Sequence, residues 1–329
     1  MSKSIRLTVL ASLALAWLCG SALGQGGVTS STKNPAQIAI LHWYPANLTT
    51  TFQAGTFPNS VAFDGASIWI ASPFGLTKLR PSDGAVLATV TNNNLGSNDC
   101  RAMVYDGANL WVACTFITGT ILDKVRARDG AVLRSTLIDG PGPGSFLAFD
   151  GANIWVPKFQ RVAVSSVTKV RASDGAVIEE VGVGSTPNGV VSDGVNIWVA
   201  NGADNNVMKV RASDGAVLGT FSVGMTPLGM AFDGANIWVA NADAGTITKL
   251  RASDGATLGT FSVGAGSAPF GVAFDGANIW VTNERTASVT ELRASDGTVL
   301  GTFPVGSGPQ GVLFDGTSIW VASSALSKL

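Results

Sequence analysis

One pattern limits what this chain can fold into more than any other. An aromatic-Asp-Gly triplet recurs along it, with the aspartate at 64, 106, 150, 193, 233, 275 and 315. Ser192 alone breaks the aromatic position. Five residues after each aspartate stands a tryptophan: Trp69, Trp111, Trp155, Trp198, Trp238, Trp280 and Trp320. Seven matched pairs, 40 to 44 residues apart, define a repeat protein.

The unit is clearest from Gly229 to Gly255. A short apolar run (Gly229–Phe232) leads into Asp-Gly, a strong hairpin signal between β-rich segments. The run Ile237–Ala240 follows, then a variable loop, then Thr248–Arg251. A second turn, Ser253-Asp254-Gly255, leads to Leu258–Phe261. The pattern predicts four strands per unit, a to d in chain order. Strands a and b are almost continuously apolar, as expected when both sheet faces are covered. Helical periodicity is missing, which excludes helical repeats of similar length.

The ends of the repeat array predict a ring. The last unit stops within strand c, at Ser327-Lys328-Leu329, while Leu48–Phe52 ends on the Thr-Phe of a strand d. The expected fold is therefore an all-β, seven-bladed β-propeller of four-stranded blades spanning residues 48–329. Its N-terminal strand closes the last blade (3+1 closure), which leaves no long exposed sheet edge. Residues 25–47 are a lead-in of weak pattern.

The first residues predict export. Lys3 and Arg6 precede an apolar stretch from Leu7 to Leu18, and Ala22-Leu23-Gly24 offers a cleavage site. Residues 1–24 read as a signal peptide, with Gln25 starting a secreted or periplasmic chain. The apolar stretch is too short to span a bilayer. Bulky Trp17 and Leu18 before Cys19 disfavour a lipoprotein. Two cysteines then remain, Cys100 and Cys114, nearly opposite one another across an a–b hairpin. A disulfide is possible there. No metal site or cofactor is expected. The net charge is −1, only 13% of residues are charged, and no basic block occurs. That argues against nucleic-acid partners and against an electrostatic membrane patch. A monomer with an unknown protein or small-molecule ligand is expected.

The units resemble the YVTN-type propeller repeats of the YncE-like and surface-layer-like families. Trp198–Asn201 and Trp238–Asn241 read Trp-Val-Ala-Asn, and Trp280–Asn283 reads Trp-Val-Thr-Asn, where those families carry Tyr-Val-Thr-Asn. The likeness implies the fold but no single function. It also implies binding on the face shared by the d–a and b–c loops.

Two sets of variable positions should ring that channel mouth. Ahead of each aromatic-Asp-Gly stand Asn59, Arg101, Ser145, Asn188, Leu228, Phe270 and Gln310. Three residues after each tryptophan stand Ser72, Cys114, Lys158, Asn201, Asn241, Asn283 and Ser323. The b–c loops add Arg161, Asp204, Asp243, Glu284 and Arg285. Such a mixed ring suits a neutral or weakly charged ligand. The strictly repeated aspartates read as turn formers, with a cation-binding ring as the rival. The repeated tryptophans read as packing between blades, with a stacking surface as the rival.

Catalytic sets are thin. Streptogramin lyases resemble the chain in architecture, and their chemistry uses a histidine and magnesium, but the single histidine, His42, precedes the propeller. Gluconolactonase-like propellers place carboxylates and Asn around a metal, which Asp204, Asp243, Glu284 and Asn188 imitate without a matching motif. The leading expectation is an exported binding or interaction protein. A metal-assisted lyase or lactonase is the alternative, and a structural cell-surface domain a further one.

Overall fold

The computed structural model describes residues 50–52, 57–91, 95, 99–116, 119–140, 142–159 and 165–329. The expected signal peptide, the lead-in, His42 and Arg161 lie outside these residues. The described chain forms seven four-stranded antiparallel sheets. Blade 1 holds Ser60–Phe63, Ile68–Ser72, Gly75–Leu79 and Val86–Thr91. Blade 2 holds Asp99–Tyr105, Asn109–Phe116, Gly119–Arg126 and Val132–Asp139. Blade 3 holds Ala148–Phe149, Asn153–Lys158, Ser166–Arg171 and Val177–Gly182. Blades 4, 5 and 6 begin at Pro187, Pro227 and Pro269 and end at Ser222, Ser262 and Pro304. Blade 7 takes Val312–Phe314, Ile319–Ala322 and Leu326–Lys328 from the chain's end and Thr50–Phe52 from near its start. The closing strand pairs antiparallel, Thr50 opposite Lys328 and Phe52 opposite Leu326. Each innermost strand neighbours the next, and blade 7 meets blade 1, so the ring is closed.

The turn aspartate is what makes each hairpin. Asp233 Oδ1 accepts from the backbone amides of Ala235 and Asn236, while its Oδ2 accepts from Trp238 Nε1 at 2.8 Å. The indole–carboxylate bond recurs in all seven blades at 2.7 to 2.9 Å. One carboxylate thus sets the turn and the tryptophan rotamer together. Bonds to a charged acceptor contribute about 1.5–3 kcal/mol each.

Apolar burial sits in the seams between blades, in seven clusters. In each, a tryptophan packs on strands b and c of the following blade: Trp69 on Leu110, Val112 and Val125, or Trp238 on Ile279, Val281 and Leu292. The closing seam has the same form, with Trp320 on Ile68, Ile70 and Leu79. An aromatic of strand d caps the tryptophan from outside. Phe221, Phe261 and Phe303 stand 5.5 to 5.7 Å from Trp198, Trp238 and Trp280, ring centre to ring centre. Phe52 of the closing strand stands 5.5 Å from Trp320 in the same role. The Asp-Gly turn of the next blade lies so close on these rings that a β-carbon on Gly84, Gly255 or Gly297 would collide with Phe52, Phe221 or Phe261. Those glycines also have φ of +70 to +77°, so they are required twice over.

A lysine from strand c crosses six of the seams. Its ammonium lies 4.9 to 5.3 Å from the centre of its own blade's tryptophan ring. It donates to a carbonyl in the next blade's outer turn, as Lys209 does to Ala252 at 2.7 Å and Lys328 to Pro81 at 3.0 Å. Cation–π attraction of about 0.5–2 kcal/mol adds to each bond. Cys100 and Cys114 are directly paired in the ladder and joined by a disulfide.

Two stability predictions follow from this arrangement. Trp238 is fully buried, so Trp238→Ala is expected to cost about 3–5 kcal/mol through the cavity it leaves, read by denaturant unfolding. An unchanged midpoint would remove the tryptophan from its packing role. Replacing both cysteines by serine, which releases a closed span of 14 residues, is expected to cost up to about 3 kcal/mol in the same assay.

Candidate functional site

The a–b hairpin turns occupy one end of the blades, so the d–a and b–c loops share the other. At that face a cavity of about 310 Å³ is lined by Asn59, Pro73, Asp99, Arg101, Ser145, Phe270 and Gln310. Five of these stand at the variable position where strand a starts, and they come from blades 1, 2, 6 and 7 and the lead into blade 3. Only a closed ring brings them together. A second cavity, about 260 Å³, shares Asn59 and Gln310 and adds Phe57, Pro58, Glu284 and Ser323, among others.

The lining is held by local bonds. Gln310 Nε2 donates to Glu284 Oε1 at 2.9 Å, which fixes both where the cavities meet. Arg101 Nε donates to Asp99 Oδ2 at 2.6 Å, giving a nearly neutral, half-exposed pair. Asn59 Nδ2 donates to the Cys100 carbonyl at 3.4 Å. Phe270 of blade 6 meets Phe146, which leads into blade 3, at 5.6 Å between ring centres. Those blades are not neighbours, so this contact spans the axis and narrows the channel.

The structure takes four expected residues off the mouth. Asn201, Asn241 and Asn283 are fully buried. Their amides donate into the b–c ladder: Asn201 to Asn206 at 2.8 Å, Asn241 to Thr248 at 2.9 Å and Asn283 to Thr290 at 2.8 Å. Lys158 is buried and ion-paired at 2.5 Å with Glu180 on its own blade's outer strand. The cause is common to all four. The last residue of strand b still pairs with strand c, so its side chain falls within the sheet stack. Asn188 stays near the mouth but donates to the Thr186 carbonyl at 3.2 Å. Exposed Arg285 lies 3.8 Å from Asp243.

Sequence reasoning missed Asp99, Phe57, Pro73 and Phe146. Asp99 belongs to the mouth because strand a of blade 2 starts early, two residues before Arg101. Phe146 had a visible signal. Its counterparts are Gly189, Gly229, Gly271 and Gly311, or the small Ser60 and Ala102. A β-carbon at Gly189, Gly229 or Gly271 would collide with the carbonyl of Leu228, Phe270 or Gln310 in the next blade. Phenylalanine at a position where the ring otherwise needs almost no side chain marks a local departure in the channel.

Titration behaviour separates two kinds of aspartate. For each turn aspartate, burial works to raise the carboxyl, but the indole and backbone amide bonds outweigh it and hold it below 3.8. Asp123 is the opposite case. It is fully buried on strand c of blade 2, Cα partner of Val112 in the seam packed by Trp69. Burial pushes it up to about 7, opposed by its bond from Ser135 Oγ. It is sealed from the mouth, so perturbation here marks a structural cost.

The two effects have opposite signs. The turn aspartates contribute stability above pH 3.8 that is lost as pH falls through their lower folded values. Asp123 contributes most below pH 3.8, and that contribution is lost as pH rises through about 7. Asp123→Asn is therefore expected to be about 2–4 kcal/mol more stable than wild type at pH 8 and nearly equal to it at pH 4. Urea unfolding at both values checks this. Equal stability at pH 8 would show that Asp123 ionises freely.

Among the described residues, no cluster of three His, Cys, Asp or Glu is placed to hold a metal ion. No family model and no curated protein sequence matches the chain. Solved structures do. A streptogramin B lyase superposes with a TM-score of 0.71 at 16% identity, over 85% of this chain and 96% of the other. A catalytically inactive histidine-to-alanine form of virginiamycin B lyase from Staphylococcus aureus, with quinupristin, gives 0.70 at 16% identity, over 85% and 98%. The WD40 β-propeller domain of Doa1 gives 0.70 at 14% identity, over 85% and 94%. At these identities the likeness shows one thing, that the chain shares the β-propeller fold.

Proposed function

We propose that this protein is an exported interaction module that docks a partner protein on the d–a and b–c loop face, with a partner side chain entering the paired cavities. The observation that carries this is the company those cavities keep. Phe57, 68% exposed, lines the second cavity, and Phe74, 63% exposed, follows Pro73 of the first. Two exposed phenylalanines flanking a recess with polar walls have the composition of a protein-binding hot spot. Arg101, Asp99, Gln310 and Glu284 supply polar groups without strong net charge, which suits an uncharged or zwitterionic segment.

Likeness to a WD40 domain supports an interaction role by analogy of fold. Likeness to the lyases supports a catalytic role on the same terms. The virginiamycin lyase is inactivated by loss of a histidine, whereas the only histidine here, His42, precedes the repeats. The interaction reading is therefore preferred. Export rests on the basic, then apolar, N-terminal sequence. The Cys100–Cys114 disulfide is consistent with it, since such bonds persist in oxidising compartments.

The experiment compares capture of native envelope or culture-fluid proteins by wild type and two variants. Phe57→Asp with Phe74→Asp alters the mouth. Val195→Asp alters an equally exposed residue on an a–b turn, at the opposite end. The expected result is a partner held by wild type and by Val195→Asp and lost by the phenylalanine double variant, with all melts unchanged. A partner retained by the double variant would move the interface elsewhere. Conversion of quinupristin in the presence of magnesium would favour a lyase.

A further inference from the structure

The seam between blades 6 and 7 departs from the other six. Elsewhere strand c carries the lysine whose ammonium lies against the tryptophan and reaches the next blade's outer turn. Blade 6 has Glu291 at that position, opposite Trp280 in the ladder. No cation among the described residues takes the lysine's place against Trp280. Six repeat tryptophans are fully buried, but Trp280 is partly exposed.

The bonding around it has been rearranged. In blades 3, 4 and 5 the asparagine after the hairpin turn, Asn153, Asn196 or Asn236, donates its amide to the turn aspartate. Its counterpart Asn278 donates instead to Glu291 Oε1 at 2.9 Å. Asp275 still accepts from Trp280 Nε1 at 2.7 Å. Burial, and then the charge of Asp275, raise the Glu291 carboxyl above its usual range. Two carboxylates therefore repel one another beside an aromatic ring that lacks its usual cation.

We propose that the outer end of this seam, formed by the ring of Trp280 with Asp275 and Glu291, binds a primary alkylammonium group supplied from outside the blade. The molecule itself shows the recognition six times, since a lysine ammonium sits on the matching tryptophan in every other blade. In blade 1 that ammonium also lies 3.2 Å from the turn aspartate, Asp64, the counterpart of Asp275. Ring and carboxylate together are the donor set a desolvated ammonium seeks. The ligand is a free amine or a lysine side chain of another protein. The proposal is independent of the mouth, at the other end of the blades.

The probe is n-butylammonium chloride, titrated calorimetrically into the purified protein against sodium chloride of equal ionic strength. Wild type is expected to bind one equivalent in the millimolar range and to melt higher in its presence. Glu291→Gln is expected to weaken binding several-fold. Glu291→Lys should occupy the site from within, so that its melt no longer responds to the ligand. Should Glu291→Lys fail to fold, Glu291→Gln decides alone. No binding to wild type, or equal binding to wild type and Glu291→Gln, overturns the proposal. A lysine-containing tripeptide as second probe separates the sources. If it binds, a protein side chain fits, and if only butylammonium binds, the site belongs to free amines.

Discussion

In each blade the hairpin carboxylate takes two backbone amides on one oxygen and an indole N–H on the other. This small knot joins three levels of structure. The amide bonds fix the turn between strands a and b. The indole bond fixes the tryptophan that the turn places five residues on. The tryptophan, so oriented, is what the next blade packs against. In six of the seven blades, on its ring lies the lysine whose ammonium reaches across to the neighbouring outer turn. Turn chemistry, core burial and the contact between blades are thus one continuous chain of interactions, made once per repeat. A ring assembled this way needs no separate central core, because every seam is one.

That design explains which side chains are free to vary. Strand a is pressed against its neighbour so closely that Gly189, Gly229 and Gly271 tolerate no β-carbon. Strand b is buried almost throughout, down to its last residue. Freedom begins only where the ladder breaks: at the irregular start of strand a and inside the b–c loops. The mouth cavities are built from those places. Their walls differ from blade to blade while the blades themselves hardly differ.

Part of this architecture is written in the sequence and part is not. The repeat, the strand order, the seven blades and the closing role of Phe52 are all legible, because each rests on spacing that chain geometry converts directly into structure. The turn role of the aspartates is legible too, but their bond to the tryptophans is not. Spacing alone does not show that Oδ2 faces an indole five residues ahead. Asn201, Asn241 and Asn283 look like rim residues because the position they occupy differs in the other four blades. Their amides instead donate to the strand c partners Asn206, Thr248 and Thr290 inside the ladder. Asp99 and Phe57 enter the mouth through irregularities of one loop or strand, which a repeat-based reading averages away.

Glu291 shows how closure itself reshapes the pattern. The lysine of each blade needs a carbonyl in the next blade's c–d turn. Blade 7 has no such turn, because its strands c and d come from opposite ends of the repeat array. A lysine at 291 would therefore lie on Trp280 without the carbonyl that its counterparts reach at 2.6 to 3.0 Å. A half-buried ammonium short of an acceptor is costly. The one blade that precedes the closure is also the one that has exchanged its lysine for an acid. The seam is thereby left with negative charge and an aromatic ring accessible from outside. Closing the ring by a strand from the far end stabilises the whole and, by the same geometry, leaves the seam that precedes it without the lysine that crosses the other six.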